Sequence, residues 1–188
     1  MIKRIIALIF LCLCLPVICS ADGWFYSASG GTETIGYETV GSSSGNPSTG
    51  LIYISALDTP VNSGIFGVIN IYISCSSATA DLEVGIYAGT TPATAVPVGY
   101  KTFTDIGTLS GGWHSFSVLD QSWSATVGTS YWLGYCTNAG TSLTIWYDSA
   151  NSGDTNYKSK TFGNAWPDPL GEVTALSTLR SMYATINH

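Results

Sequence analysis

A serine motif is the first group of residues whose spacing could support chemistry. Residues 41–45 read Gly-Ser-Ser-Ser-Gly and fit Gly-x-Ser-x-Gly, the turn that carries the nucleophile of many hydrolases. That chemistry also needs a strand before the serine, a helix after it and a general base. Residues 46–50 continue instead as a turn-rich loop, and the two histidines are His114, inside a predicted strand, and His188. We therefore expect no acyl-transfer site.

Paired carboxylates are the second possible source of chemistry. Asp81 and Glu83 lie two residues apart and share a face of a predicted strand, and Asp105 or Asp120 could approach from another strand. Glycoside hydrolysis uses two carboxylates roughly 5–10 Å apart. Because the chain has twelve acidic residues, such a coincidence is common, and we interpret these acids as solvated groups at strand edges and turns. A glycan-cleaving enzyme is the least favoured function, and we expect no enzymatic activity.

Aromatic side chains beside turns offer the best lead toward binding. Four of them flank the turn-rich segments 148–154 and 162–169: Trp146, Tyr147, Tyr157 and Trp166. Sugars present flat C–H faces that pack on aromatic rings, while a few placed polar groups fix their orientation. We predict that these four residues bind a glycan. The alternative is that they close one end of the fold.

The first of those segments also carries oxygen ligands that suit a hard cation. Asp148, Asn151 and Asp154 lie in a glycine-containing loop, so a structural calcium ion is one prediction, although the spacing misses the EF-hand pattern. An ordinary Asn/Asp/Gly turn is the alternative, and we expect no other cofactor.

The N-terminus predicts the destination of the protein. Lys3 and Arg4 precede an apolar run over residues 5–18 that contains Pro16, and small residues lead to Ala21. This is the layout of a secretory signal peptide, residues 1–21, and the run is too short for the ~20 residues of a membrane-spanning helix. We predict a secreted protein whose mature chain, residues 22–188, is a single domain without a membrane span.

Removal of the signal peptide changes both the charge and the cysteine count. Four basic residues remain against twelve acidic ones, a net charge of −8, which excludes a generic nucleic-acid binder. Cys75 and Cys136 are the cysteines that remain, and two cysteines allow one pairing in an oxidising compartment. We predict a disulfide between them, with two buried thiols as the alternative.

Short apolar runs between Gly, Asn, Ser and Asp clusters predict an all-β fold. Residues 65–73 are apolar on both faces, which predicts a central strand covered on each side, and Trp113 and Trp132 are expected in the core. The predicted strands are Leu51 to Ala56, Ile65 to Cys75, Leu82 to Tyr87, Tyr100 to Phe103, His114 to Val118, Tyr131 to Cys136, Leu143 to Tyr147 and Leu179 to Ile186. This spacing of short strands is the signature of a β-sandwich or barrel.

The order of several short motifs strengthens this interpretation. The succession TIGYETVGSSSG, INIYIS, LEVGIYAGTTPATAVPVG, GGWHSFSV, ATVGTSYWLGYC and RSMYATI resembles jelly-roll-like β-sandwich modules of secreted and cell-surface bacterial and archaeal proteins. The resemblance spans residues 30–186. It implies a single antiparallel jelly-roll-like β-sandwich of about 8–10 strands. It also implies an extracellular, non-catalytic module, for which carbohydrate is the usual ligand.

The sequence thus favours a secreted, non-catalytic protein that recognises a glycan or another cell-surface polymer. Self-assembly into an extracellular filament or coat is the alternative, because a surface with few charges offers little repulsion between copies and an exposed edge strand can add a neighbour's strand. In that case residues 22–50, which carry Trp24, Phe25, Tyr26 and Tyr37, would be an edge strand and loop that docks on a neighbour.

Overall fold

Two antiparallel β-sheets packed face to face form the domain in the computed structural model, which describes residues 30–188. In sheet A the strands run in the order β1-β14-β4-β10-β13, with β2 paired to β10, and β7 and β8 paired to β4. In sheet B the order is β12-β11-β3-β9-β5-β6. The strands are β1 (Thr32–Tyr37), β2 (Ser43–Gly45), β3 (Leu51–Asp58), β4 (Gly64–Cys75), β5 (Leu82–Ala88), β6 (Val96–Phe103), β7 (Leu109–Ser117), β8 (Ser124–Ala125), β9 (Tyr131–Thr137), β10 (Leu143–Ser149), β11 (Thr155–Ser159), β12 (Thr174–Leu176), β13 (Thr178–Arg180) and β14 (Met182–Asn187).

The predicted all-β sandwich is confirmed, with fourteen strands in the described residues. Each predicted run corresponds to a strand, and the last one divides at Ser181 into β13 and β14. The backbone of Ser181 bridges two strands there, because its N–H donates to Trp146 and its carbonyl accepts from Tyr72. The five strands that the prediction omits have two to six residues and little apolar character: β1, β2, β8, β11 and β12.

The core between the sheets follows from alternation along the long strands. In β4, Ile69, Ile71 and Ile73 are fully buried, and in β5 the fully buried residues Leu82, Val84 and Ile86 belong to the same hydrophobic cluster. Successive side chains of a strand point to opposite faces, so these residues define the inner face of each sheet. Burying each such side chain stabilises the fold by roughly 1.5–3 kcal/mol.

A segment of irregular chain covers the outer face of sheet B. Residues 160–173, which we call the strap, bring Trp166 and Leu170 into a second hydrophobic cluster with Ile52, Ile54, Tyr87 and Trp132. Gly85 and Gly134, paired across β5 and β9, leave room for the Trp166 indole, since a Cβ at either position would lie within 2.8–2.9 Å of it. Trp132 is therefore buried as predicted, but in this outer cluster.

The outer face of sheet A is different. Strand β4 is central, as predicted, but Tyr72 and Ser74 on its outward side are partly exposed, so the prediction that both of its faces are covered is wrong. The apolar residues that suggested a second covered face include Tyr72, whose ring is amphipathic. Within residues 30–188 no helix is long and apolar enough to cross a membrane.

The segment that was expected to dock on a neighbour is partly integrated into its own domain. Strand β1 pairs with β14 and β2 pairs with β10, both within sheet A. Residues 1–29 lie outside the described residues, and with them the predicted signal peptide, Trp24, Phe25 and Tyr26. Docking of residues 22–50 on a second copy stays a prediction.

Candidate functional site

Four aromatic rings form a continuous row across the outer face of sheet A, which we call the aromatic row: Trp146, Tyr72, Trp113 and Tyr183. Successive ring centroids lie 5.2, 5.5 and 5.0 Å apart, with interplanar angles of 74°, 88° and 68°. Edge-to-face contacts of this kind are a favoured geometry for aromatic pairs. All four residues are partly exposed, so the row is in contact with solvent.

The register of the strands places these rings together. Tyr72 lies between the fully buried residues Ile71 and Ile73, so it points outward, and Trp113 lies directly opposite it on β7. Trp146 follows Ile145, which pairs with Ile73, and its indole passes over the position of Gly111. Trp113, which the sequence placed in the core, is therefore on an outer surface.

Hydroxyl and amide groups surround the rings at the other outward positions of the same strands. These neighbours are Asn70, Ser74, Ser115, Thr144, Thr185 and Asn187. Some are held in place: Ser115 Oγ donates to Asn70 Oδ1 at 2.6 Å, and Thr185 Oγ1 accepts from the Val68 N–H at 3.0 Å. The face thus combines apolar rings with oriented polar groups.

The structure does not bring the four predicted binding residues onto one surface. Trp146 belongs to the aromatic row, but Tyr147 points to the opposite side of β10, where its ring centre lies 4.7 Å from the Arg180 guanidinium. Tyr157 packs against the inner core, and Trp166 is 4% exposed beneath the strap. The predicted platform of four rings is thus divided among three regions. Ligand binding by Trp146 stays a prediction.

Trp166 is held tightly on the outer face of sheet B. Its ring lies between Tyr87 and Tyr100, with centroids 5.5 and 5.4 Å away and interplanar angles of 21° and 3°. Its Nε1–H donates to Glu83 Oε2 at 2.9 Å. The ring therefore has a structural role that its position beside turn residues did not indicate.

Glu83 is the centre of a buried polar network. Its side chain is 0% exposed and accepts hydrogen bonds from Lys160 Nζ at 2.6 Å and from the Gly163 N–H at 2.9 Å, in addition to Trp166. The interpretation of Glu83 as a solvated acid is wrong, because the strap covers it. Asp81 instead accepts from Asn138 Nδ2 and from the Asp105 N–H at the surface. Both acids are occupied by structural hydrogen bonds.

The predicted calcium loop has its carboxylates engaged within the protein. Asp148 accepts from Tyr37 OH, and from Ser42 through both its N–H and its Oγ, at 2.7–2.8 Å. These bonds, the Ser42 N–H first, hold the pKa of Asp148 below its usual value, while Asp148 raises the pKa of Tyr37. Asp154 Oδ2 accepts from the Asn151 N–H at 3.0 Å. This geometry favours the ordinary turn, and calcium binding stays a prediction.

Neither a metal cluster nor a nucleophile elbow is built from the described residues. Among residues 30–188 no three His, Cys, Asp or Glu side chains lie close enough to hold a metal ion. The serine motif leads into β2 where a nucleophile elbow would need a helix, and its Ser42 is bonded to Asp148. His114 Nε2 forms a hydrogen bond with the Ser110 carbonyl at 2.9 Å, which is a local contact within β7.

The two cysteines are buried free thiols, so the predicted disulfide is wrong. Cys75 belongs to the core between the sheets, whereas Cys136 belongs to the outer cluster of sheet B, opposite Glu83 in the register. Because the two side chains lie on opposite sides of sheet B, the sulfurs cannot reach bonding distance without backbone movement. Burial raises the pKa of Cys136 to about 11, with Lys160 opposing the shift and Glu83 adding to it.

Comparison with known proteins finds distant structural similarity. The chain matches no protein-family model and no curated protein. It is similar to two solved structures of infectious bursal disease virus. The Gx strain structure has a TM-score of 0.34 and 17% identity, covering 86% of this chain and 33% of that one. The Gt strain structure has a TM-score of 0.35 and 14% identity, covering 86% and 42%. The chain spans less than half of either, and likenesses this distant carry no functional argument.

Proposed function

We propose that this protein is a secreted, non-catalytic module that binds carbohydrate through the aromatic row. The observation that carries the proposal is the row itself: Trp146, Tyr72, Trp113 and Tyr183 in edge-to-face contact on a partly exposed strand face. Ring faces stack on the C–H faces of sugars, and the amphipathic rings of Tyr and Trp suit a surface that is both apolar and hydrated.

The contrast between the two outer faces supports this use. The strap buries aromatic residues of sheet B, among them Tyr87 and Trp132, beneath its own Trp166, so the chain is able to cover such a face. On sheet A a contiguous set of aromatic residues is left in contact with solvent. Contiguous exposed apolar surface commonly marks an interaction site, because stability alone gives no reason to expose it.

The polar neighbours of the row support a small-ligand site of this class. Such sites combine apolar surface with a few placed hydrogen-bonding groups. Here Asn70 and Ser115 are bonded to each other beside the rings and therefore have defined positions. The engagement of Glu83 and Asp81 in structural bonds supports the non-catalytic part of the proposal.

The test is binding of the purified full chain to a panel of soluble and insoluble polysaccharides. Affinity gel electrophoresis and pull-down should show binding, and Trp113→Ala and Trp146→Ala should each weaken it. Loss of one ring contact is worth about 0.5–1.5 kcal/mol, so the expected reduction is about 2- to 12-fold per variant.

The matched controls are Trp113→Phe and Trp146→Phe, which keep a ring at each position and should retain most of the affinity. All four variants need unfolding transitions close to that of the parent protein. Absence of binding across the panel, or binding that is unchanged by both alanine substitutions, would refute the proposal.

Self-assembly into a homopolymer is the second candidate, and the free edge of β7 is the observation that favours it. Within the described residues β7 pairs with β4 alone, and its nine residues contain no Pro, Lys, Asp or Glu to discourage a further strand. The other long edge strand, β6, carries Pro97 and Lys101. Size-exclusion chromatography with negative-stain imaging tests this candidate, and a discrete monomer would eliminate it.

A further inference from the structure

We propose that the aromatic row selects uncharged polysaccharide chains over acidic ones. This inference rests on the proposed function and concerns the same face of sheet A. It follows from the distribution of charge over the domain.

The outward positions around the row are almost free of charge. Strands β4, β7, β10 and β14 place Trp, Tyr, Ser, Thr, Asn, Gly and one Val (Val68) there, and the one acidic residue on these strands is Asp148, at the end of β10. Both oxygens of Asp148 are already bonded to Tyr37 and Ser42. The groups left to orient a ligand are neutral hydroxyls and amides, which match the hydroxyl groups of a neutral sugar.

Every lysine and arginine of the described residues lies elsewhere. Lys101 on β6 pairs with Asp120, Lys158 on β11 donates to the Leu170 carbonyl, and Lys160 is buried against Glu83. Arg180 is 8% exposed and points inward, with its guanidinium 5.4 Å from the centre of the Tyr53 ring. Among the described residues, the aromatic row therefore has no lysine or arginine with which to bind a carboxylate or sulfate group.

An acidic glycan would bind this face at a disadvantage. Its anionic groups would be partly desolvated against rings without a compensating positive charge, which is unfavourable. The net charge of −8 on residues 22–188 adds a general repulsion at low ionic strength. A neutral polysaccharide meets neither cost.

Four rings in a row also offer more stacking surface than one monosaccharide covers, so the expected ligand is a polysaccharide.

The test compares polysaccharides that share a backbone and differ in charge. Suitable pairs are hydroxyethyl cellulose with carboxymethyl cellulose, dextran with dextran sulfate, and curdlan with carboxymethyl curdlan. The full chain should bind the neutral member of at least one pair about tenfold more tightly than its charged partner. Affinity for the neutral member should change less than about twofold between low salt and about 0.5 M NaCl, because screening acts on charged contacts.

A charge placed on the face provides the matched variant. Ser115→Lys adds a cation beside Trp113, and it should raise affinity for the charged member of the pair by at least about fivefold at about 0.15 M salt. Thr102→Lys adds the same charge on β6 of sheet B. For this variant the affinity for the charged polysaccharide should stay within about twofold of the parent value. A general effect of net charge would move both variants equally.

The outcomes separate the two proposals. Equal or tighter binding to the charged members would overturn the selectivity while leaving carbohydrate binding in place. A Ser115→Lys variant that behaves like Thr102→Lys would also overturn it, since the charge on this face would then not decide the ligand. Failure to bind any of the six polymers would overturn the selectivity together with the proposed function.

Discussion

The buried pair formed by Glu83 and Lys160 makes the sharpest prediction about stability. Their side chains are 0% and 2% exposed and the two charged atoms lie 2.6 Å apart. Lys160→Met removes the positive charge but keeps most of the volume of the aliphatic stem. Glu83 is then left as a buried carboxylate whose remaining donors are neutral, the Gly163 N–H and Trp166 Nε1.

The size of the effect follows from that geometry. Breaking a buried ion pair by removing one partner costs about 3–5 kcal/mol. Because the two remaining hydrogen bonds persist and Met leaves no large cavity, we expect Lys160→Met to cost about 3 kcal/mol, the lower end of that range. Glu83→Gln should cost a similar amount, since it leaves the ammonium group of Lys160 without its counter-charge.

The double variant Glu83→Gln/Lys160→Met distinguishes an ion pair from two independent side chains. It leaves no uncompensated charge, and the Gln carbonyl still accepts a hydrogen bond, so it should be at least as stable as either single variant. The coupling free energy should then exceed about 2 kcal/mol. Equilibrium urea unfolding followed by tryptophan fluorescence measures all four proteins.

An exposed ion pair provides the control. Lys101 and Asp120 lie 2.7 Å apart, but their side chains are 25% and 59% exposed. Lys101→Met should therefore cost less than about 1 kcal/mol. The reasoning fails if Lys160→Met costs no more than Lys101→Met, or if the double variant loses the sum of the two single effects.

Three further predictions concern the strap, a cysteine and an acid. Gly134→Ala should displace the Trp166 ring, because the new Cβ would lie 2.9 Å from it. We expect a red-shifted tryptophan emission and lower stability. An unchanged emission spectrum would contradict the close packing of Trp166 on Gly134. Burial raises the pKa of Cys136 from 9.0 to about 11, so its thiol should resist alkylation at pH 8 in the native protein. The stability that Cys136 contributes should be lost between about pH 9 and pH 11, as the unfolded thiol ionises first, and Cys136→Ser should flatten that part of the stability profile. Because the pKa of Asp148 is lowered, the stability that this carboxylate contributes should be fully present above pH 3.8, its usual pKa, and should be lost as the pH falls below that value. Asp148→Asn should remove this acid-dependent loss in a series of thermal unfolding measurements.

The long strands were predictable because local alternation defines them. Runs such as Ile69, Ile71 and Ile73 give the inner face of β4 directly, and the fold class follows from several such runs. The short strands β2 and β8 were not predictable, since two or three polar residues become a strand when a neighbour offers them hydrogen bonds. Tertiary pairing, and not propensity, decides such cases.

The strap could not be predicted for a related reason. Residues 160–173 have no periodicity, and the partner of Lys160 is 77 residues away in the sequence.

The disulfide prediction failed because the sequence does not show which face of a strand is the inner one. Trp132, Gly134 and Cys136 do share a face of β9, as alternation indicates, but the sequence does not show that this face lies outside the sandwich, with Leu133 and Tyr135 facing the core.

The aromatic row has a signal in the sequence that is visible along whole strands and not at single residues. Along its own strand, each ring shares its face with Ser, Thr or Asn: Tyr72 with Asn70 and Ser74, Trp113 with Ser115, Trp146 with Thr144, and Tyr183 with Thr185. The opposite face is apolar in the same part of β4 and in β14, while in β7 it carries His114 beside Phe116. An aromatic residue that alternates in phase with hydroxyl and amide residues is therefore a candidate for an exposed face.

The pairing of β1 with β14 has a consequence for how the domain is connected. Thr32 lies opposite Asn187, so the first and last strands begin and end at the same corner of sheet A. A short linker could join these two points, and the domain could then be opened at an exposed turn elsewhere, because circular permutation succeeds where termini are adjacent at the surface. Tandem copies fused through this corner would each keep an aromatic row, which gives a way to raise avidity for a polysaccharide while keeping the face that we propose binds it.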